Sequence, residues 1–479
     1  MESSTELEAR WLRRALVALL CVEGALLVAS IPYHSPHVDE AWFAEEAYFQ
    51  ARDGYPHSNF FRGFVHEDVR VVVHHWLFIT AQSVVFRVVG FGLPAARALS
   101  IAAGLVLLGA MALHGRRAGA SPNRLLLAPL IFLLTPQAFR SINLARPEML
   151  VTLFGFASFA LLWQEARAPS WRLAIAAGGC AGAAMLTHLN GAIFVGTGAA
   201  LLVWSRRPGR AAAFAASAAI AVSPYALEAW THLDLFREQL NSPLIAYKTR
   251  AGLLQPLLNL LHEHSRLFLK PDIIFLSSLF VLCAALCWHR RREEERFLFR
   301  YLLILMLALG ALVADKGILY SVCLVPFEAL AIAAALARWR ELVAGPFARA
   351  LLASGIALFA GWGLLAQARD VGDKIDIVAL NREIGDRLPA QAWTAAPMAM
   401  AFNELERHLL LANHLLTKQT GAQATFAELA RYCRARGASQ VVLYRREGRL
   451  EDLALEPGPR DQLFTTLRDD PRYLILQLR

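Results

Sequence analysis

Charge is what this sequence is short of. Only 18% of the 479 residues are Asp, Glu, Lys or Arg, against about 25% in soluble domains, while 56% are hydrophobic and mean hydropathy is positive. That balance excludes an ordinary soluble domain and marks a polytopic membrane protein. Cysteine is also scarce. Of the six, Cys21, Cys180, Cys283, Cys287 and Cys323 lie in apolar runs and Cys433 stands alone in the polar tail, so neither a disulfide framework nor a zinc pattern follows. No G-x-G-x-x-G or P-loop motif is evident, and nothing points to a nucleotide-binding fold. The absence of a solenoid-period repeat or low-complexity linker leaves transporter-style inverted repeats without support.

What the chain does carry is a formal net charge of +9. Its arginines fall in short clusters between apolar runs, where they set topology; nucleic acid is not an expected partner. The first apolar run, Ala15–Ile31, follows Arg10, Arg13 and Arg14 and lacks a small-residue cleavage pattern. It reads as an uncleaved spanning helix with a cytoplasmic N-terminus. Further runs long enough to span, given that roughly 17–25 apolar residues are needed, lie near 96–114, 124–139, 147–163, 172–188, 191–204, 211–230, 272–289, 298–314, 318–337 and 349–366. The segment 71–91, "VVVHHWLFITAQSVVFRVVGF", is ambiguous. Counting it as a span puts "HGRRAGASPNR", "SRRPGR" and "CWHRRR" outside; leaving it out puts them inside with "ARWR". Positive-inside bias therefore favours eleven spans, with 71–91 at the outer interface. His74, His75 and Arg87 agree, being expensive in hydrocarbon.

With that topology the remainder is external. "KIDIVALNREIGDRL" and "FAELARYCRARG" read as amphipathic helices and "QVVLYR" and "YLILQLR" as strands, which predicts a small α/β domain over 367–479. The expected class is mainly α: a transmembrane part over 1–366, with an external loop 32–95, followed by the external domain.

The unusual polar residues then gather at one face. Asp39 and Glu40 follow the first span within "PHVDEAWFAEEAYFQARDGYPH", Arg146 and Glu148 lie in "LARPEML", His188 and Asn190 in "THLNG", and Asp315, Lys316 and Tyr320 in "ADKGILY". None of these is expected at mid-membrane. Acids beside cations suit a reaction that takes a proton from one partner and steadies negative charge on another. Plainer readings stand beside this one. Asp39 is a candidate N-cap for the helix that follows; Glu45 and Glu46 read as a solvated or headgroup-level face; Arg146 and Glu148 are spaced to pair at a helix end; His188 fits an interfacial histidine and Lys316 a snorkelling anchor. "HEHSR", His262–Arg266, lacks the two-histidine spacing of a zinc protease, and adjacent helical residues such as His74 and His75 point about 100° apart.

Taken in order, these pieces resemble the GT-C superfamily of membrane glycosyltransferases, in the branch of bacterial protein mannosyltransferase-like enzymes and the lipid A aminoarabinose transferase. The order is a first span, "DE" with a helix, an interfacial segment, "GLPAAR" opening the second span, a basic inner loop, an acid opening the fourth span, and "K-G-x-x-Y" late in the membrane part. The likeness covers about residues 10–340. It implies that Asp39, with Glu40 in the same motif, supplies the base toward an acceptor hydroxyl and that Glu148 orients the acceptor or the loop carrying Asp39. It also implies that Lys316 and Tyr320 hold a lipid phosphate; the chemistry itself asks for cations near the departing phosphate, which Lys316, with Arg146 or His188, would supply. His188 stands where relatives frequently have Lys in a "T-K-G" turn, and His74–His75 where many read "K-P-P" or "H-P-P". The implied partners are a polyprenyl-phosphate-linked sugar, a lipid, glycan or protein acceptor, and the bilayer. The implied setting is the periplasmic face of a bacterial inner membrane. A divalent metal stays open. The rival readings are a protein that binds or transports a prenyl-linked glycan without reacting it, and a scaffold whose external tail recruits an envelope enzyme.

Overall fold

The computed structural model describes residues 4–31, 36–242, 254–287, 292–314, 316–343, 345–372, 376–416, 424–446, 449–450, 455 and 460–479. Helices dominate. In chain order the first eleven are α1 (Ser4–Ser30), α2 (Val38–Asp53), α3 (Trp76–Val89), α4 (Leu93–Arg117), α5 (Pro122–Leu134), α6 (Pro136–Asn143), α7 (Glu148–Arg167), α8 (Trp171–Thr187), α9 (Ala192–Trp204), α10 (Pro208–Thr231) and α11 (Leu233–Leu240). Helices Gln255–Leu261, Glu263–Phe268, Pro271–Cys287, Glu293–Leu312, Val325–Ala337 and Pro346–Gly372 complete the bundle.

A helix or helix pair stands at every expected span. Length and composition alone qualify four of the described helices as crossings, or six when each of two bent pairs counts as one. The bends have a local cause. Thr135, ahead of Pro136, is extended (φ −78°, ψ 115°), because a following proline disfavours the α region, and α5 and α6 diverge by 76°. A bend of 100° separates Gln255–Phe268 from Pro271–Cys287. The ambiguous segment forms α3, whose 14 residues reach about 21 Å at 1.5 Å per residue; it is one of three shorter apolar helices, with Leu189–Trp204 and Val325–Ala337.

Without water to drive helices together, close approach depends on small residues. In α8 a Cβ on Gly178 would meet the Phe214 carbonyl oxygen of α10 at 2.1 Å, and one on Gly182 the Ala218 oxygen at 2.5 Å. Two carboxyls lie inside helices rather than at the rim: Glu23 in α1 and Glu328 in Val325–Ala337, 0% and 1% exposed.

The helix Pro346–Gly372 runs through position 366, so the change of architecture falls after the expected boundary. Ile377–Gly385 and Phe426–Arg436 are helices as expected, the second opened by the Thr425/Glu428 capping box and closed by Gly437 at φ 74°. They flank a sheet of order β2-β1-β3-β6-β5, built from β1 (Trp393–Ala396), β2 (Leu409–Ala412), β3 (Ala438–Arg446), β5 (Phe464–Asp469) and β6 (Tyr473–Leu478), with β4 (Arg449–Leu450) on β3. Strands β2, β1 and β3 run parallel; β6 and β5 are antiparallel additions. The edge strand β2 is covered by the segment after α2. Ala412 donates its N–H to Phe60 O at 3.1 Å, Arg436 Nε reaches Arg62 O at 3.2 Å, and the Arg62 guanidinium sits 4.4 Å from the Trp393 ring centre. A paired edge is a protected edge, and the sheet is thereby fixed beside α2.

Candidate active site

The site grows from the N-terminus of α2. His37, not Asp39, is its cap, and Glu40 completes a capping box by accepting the His37 N–H at 2.7 Å. The same Glu40 carboxylate, fully buried, accepts from Arg97 Nε and Nη2 of α4 at 3.1 and 3.3 Å and from Ala145 N–H at 2.7 Å. Every one of these donors holds the fold. Three distant segments, α2, the start of α4 and the turn before α7, are thus pinned to one carboxylate. Glu40, expected among the catalytic acids, is buried and enclosed by these donors.

From that pinned turn Arg146 reaches out in two directions. It donates to Asp39 Oδ2, and Nη2 lies 2.6 Å from Glu148 Oε1. Positions 39 and 148 therefore converge on one guanidinium. Burial works against its charge, yet Glu148 and then Asp39 outweigh that and raise its pKa further, so it stays a cation. Asp39 is the open member of the trio, its side chain 33% exposed against 4% for Glu148.

A column of rings continues from there. Phe43 lies 5.8 Å from the Arg146 guanidinium carbon and meets His75 edge-on at 4.7 Å. His75 stacks on His188 at 4.4 Å, which meets Tyr320 at 5.7 Å. His188 Nδ1 accepts the Asn190 N–H at 2.9 Å, and the turn that presents it needs a glycine: a Cβ on Gly191 would sit 2.3 Å from Ala184 backbone atoms. Tyr320 belongs to the 3-10 turn Ile318–Cys323, linked to α7 through the Thr152 hydroxyl, which approaches Cys323 Sγ at 3.7 Å.

One expected member lies elsewhere. His74 turns away, its Nδ1 paired with Val72 O and its ring facing Tyr225 of α10; burial lowers its pKa, which is the wrong direction for a phosphate cation. Lys316, just ahead of the turn that holds Tyr320, donates to Glu263 at 2.7 Å and to the carbonyls of Gly310 and Val313. Asp315 falls outside the described residues. In "HEHSR" the imidazoles of His262 and His264 bond carbonyls of the preceding helix, Leu258 O and Leu261 O. Among the described residues no group of three or more His, Cys, Asp or Glu side chains is arranged to hold a metal ion.

The reading of Glu45 and Glu46 as a solvated face is overturned: they are 0% and 1% exposed, and Glu67 is 4% exposed. Helix α2 is packed against α3 on one side and against the 398–404 segment of the C-terminal part on another, which leaves it no water-facing side there. Glu45 accepts from Ser58 Oγ and from the N–H groups of Asn59 and Phe60 at 2.9 and 3.1 Å, and so anchors the segment that covers β2. Burial pushes Glu45 and Glu67 up to about 8 and, with the charges of Glu67 and Glu45, pushes Glu46 well above the usual range. A carboxyl that holds its proton more tightly when folded contributes stability that is complete below its unfolded value of 4.5 and is lost as pH rises through the folded one. Thermal unfolding in detergent is therefore expected at lower temperature at pH 8.5 than at pH 5.5. Glu67→Gln should flatten that slope by about 1–2 kcal/mol, since one pKa unit is worth 1.36 kcal/mol; an unchanged slope would count against the cluster.

A residue with no signal in the sequence bridges the segment carrying His75. Gln239 of α11, 1% exposed, accepts from Val72 and Val73 N–H at 2.8 and 3.1 Å and donates to the carbonyls of Arg70 and Val65 at 2.7 and 3.4 Å. Leaving such buried groups unmade costs about 1–3 kcal/mol each. Gln239→Ala is expected to expose residues 62–75 to limited proteolysis at least tenfold faster while the sheet stays protected; equal cleavage rates would show that the segment is held by other contacts.

No protein-family model and no curated protein sequence matches the chain. The fold is nonetheless shared with solved structures of ArnT and of an oligosaccharyltransferase. The chain superposes on ArnT from Cupriavidus metallidurans bound to undecaprenyl phosphate with a TM-score of 0.63 at 14% identity, covering 96% of this chain and 97% of that one. The apo form of the same protein gives 0.58 at 13% identity over 98% of both chains. The oligosaccharyltransferase of Archaeoglobus fulgidus, tethered with an acceptor peptide, gives 0.50 at 12% identity over 90% of this chain and 69% of that one. Identities this low make each a likeness of fold.

Proposed function

We propose that the chain is an inverting glycosyltransferase that moves a hexosyl or pentosyl group from a polyprenyl-phosphate donor to a lipid, glycan or protein acceptor at the periplasmic face of a bacterial inner membrane. The observation that carries this reading is Arg146, which holds Asp39 and Glu148 together beside the His75–His188 pair. Two ArnT structures of the same fold, one bound to undecaprenyl phosphate, support a lipid-phosphate donor. In this reading the membrane part crosses eleven times with its N-terminus in the cytoplasm, and the sheet-bearing part, from about 367 onward, lies in the periplasm over the segment after α2.

The step is a displacement. The acceptor hydroxyl gives its proton to Asp39 as its oxygen bonds to the anomeric carbon; the bond from that carbon to the phosphate oxygen breaks, and its electron pair leaves with the prenyl phosphate. Attack from the face opposite the phosphate inverts the anomeric centre. Arg146 and Glu148 fix the base, and His188, His75 and Tyr320 face the growing phosphate charge, where preorganised donors are worth most. Lys316, held by Glu263, borders the same turn and is assigned to the phosphate side.

Glu23 and Glu328 favour a second reading, in which buried acids within the helices serve transport of a prenyl-linked glycan. Mass analysis of envelope lipids and glycans from cells with and without an active chain separates the two. Transfer predicts an acceptor lighter by one sugar when the chain is absent. Transport predicts unchanged acceptors with lipid-linked glycan accumulating.

A further inference from the structure

Histidine is an unusual helix cap. Ser, Thr, Asp and Asn ordinarily take that place, yet His37 closes the N-terminus of α2 with an extended backbone (φ −72°, ψ 148°), and its Nδ1 accepts the backbone N–H of Asp39 at 3.2 Å. An imidazole nitrogen accepts only with its lone pair free, so this cap requires a neutral ring with its proton on Nε2. The same Nδ1 lies 3.8 Å from Asp39 Oδ2 and 3.4 Å from Arg146 Nη1. The side chain is 46% exposed, so protons exchange with it from bulk water.

We propose that His37 is a positioning residue for the base and that its protonation turns the site off. The neutral ring caps α2 at the Asp39 N–H and so fixes the backbone from which that carboxylate meets Arg146. A proton taken from water onto Nδ1 removes the acceptor, frees the Asp39 backbone and gives its carboxylate a second cation, which lowers its basicity. Among the described residues, the charged groups around the ring are Asp39 and Glu40 on its own segment, Arg146 with Glu148 from the turn before α7, and Arg97 of α4 on Glu40. Glu40 has Arg97 as its partner, while Asp39 and Glu148 share Arg146. Imidazoles ordinarily change charge between pH 5 and 8, and the device therefore acts inside a range that an envelope enzyme meets. The proposal rests on Asp39 as the base.

The test is the pH dependence of sugar transfer by the purified full chain between pH 5 and 8.5, using a mixed prenyl-phosphate-sugar pool as donor. The unsubstituted chain is expected to lose about tenfold in rate per pH unit on its acid limb. His37→Ala should lose about tenfold at pH 8, and His37→Asn, which caps without titrating, should restore most of that loss and move the acid limb down by at least about one pH unit. His37→Ser provides a second non-titrating cap. An acid limb unchanged in both variants overturns the proposal, as does failure of both to recover the rate at pH 8, since the imidazole would then be doing something no cap replaces. If Asp39→Asn turns over normally, the reading of the base falls instead; if that variant is inactive and the limb stays put, only the role of His37 falls.

Discussion

Asp39→Asn is expected to slow sugar transfer by about a hundred- to ten-thousand-fold, the range that a positioned general base contributes, with membrane insertion and donor binding retained. The substitution keeps size and the Arg146 contact but removes the basic oxygen. The carboxylate at 39 is the open member of the trio, whereas Glu40 and Glu148 are enclosed by donors, so only Asp39 is placed for an incoming hydroxyl to reach. Because Arg146 holds Asp39 in place, loss should appear in kcat with the donor requirement little changed. The measurement is transfer by purified protein at saturating donor, paired with a donor-binding assay; turnover within a few-fold of the unsubstituted chain would end the assignment.

The second large effect is on stability. Arg97→Ala should destabilise the protein by about 3–5 kcal/mol, the usual result of removing one partner from a buried ion pair. Both side chains of the Arg97–Glu40 pair are 0% exposed, and the stranded Glu40 carboxylate would still face the His37 and Ala145 N–H groups without its cation. Since those contacts set the distance between α2 and the turn holding Arg146, transfer should fall together with stability. Glu40→Gln keeps an acceptor for the two N–H groups and is expected to cost less. Thermal unfolding of the two variants in the same detergent decides this, and equal, small losses would mean that the pair is dispensable.

The large features were legible because they depend on run length and order. Eleven apolar segments correspond to helices or helix pairs, and two helices and two strands of the tail stand where the periodicity placed them. The sequence order that resembles GT-C enzymes also pointed to Asp39, Arg146, Glu148, His188 and Tyr320, whose side chains the structure joins through Arg146 and the ring column. Three things were hidden. Burial of Glu45 and Glu46 depends on what covers the far side of α2, and that cover comes from residues 398–404, more than 350 positions later. The bridging work of Gln239 depends on a backbone 166 to 174 residues away, which no local pattern reports. Strands β1 and β2 are four residues each, too short for alternation to show. Arg97 is different. It stood in the quoted "GLPAAR", and an arginine at the start of a spanning helix is costly enough to ask for a partner, a signal that pointed to an acid on the neighbouring loop.

The central claim is spatial: a prenyl-bound phosphate sits at the end of the bundle where α4 and α7 begin, with its sugar toward Asp39. A structure of the full chain with a polyprenyl-phosphate sugar tests it most directly. The account predicts the phosphate within hydrogen-bond reach of His188, His75 or Tyr320 and the anomeric carbon facing the Asp39 carboxylate. A phosphate found instead at the other end, in the cavity lined by His114, Arg124, Trp163 and Glu295, would contradict it.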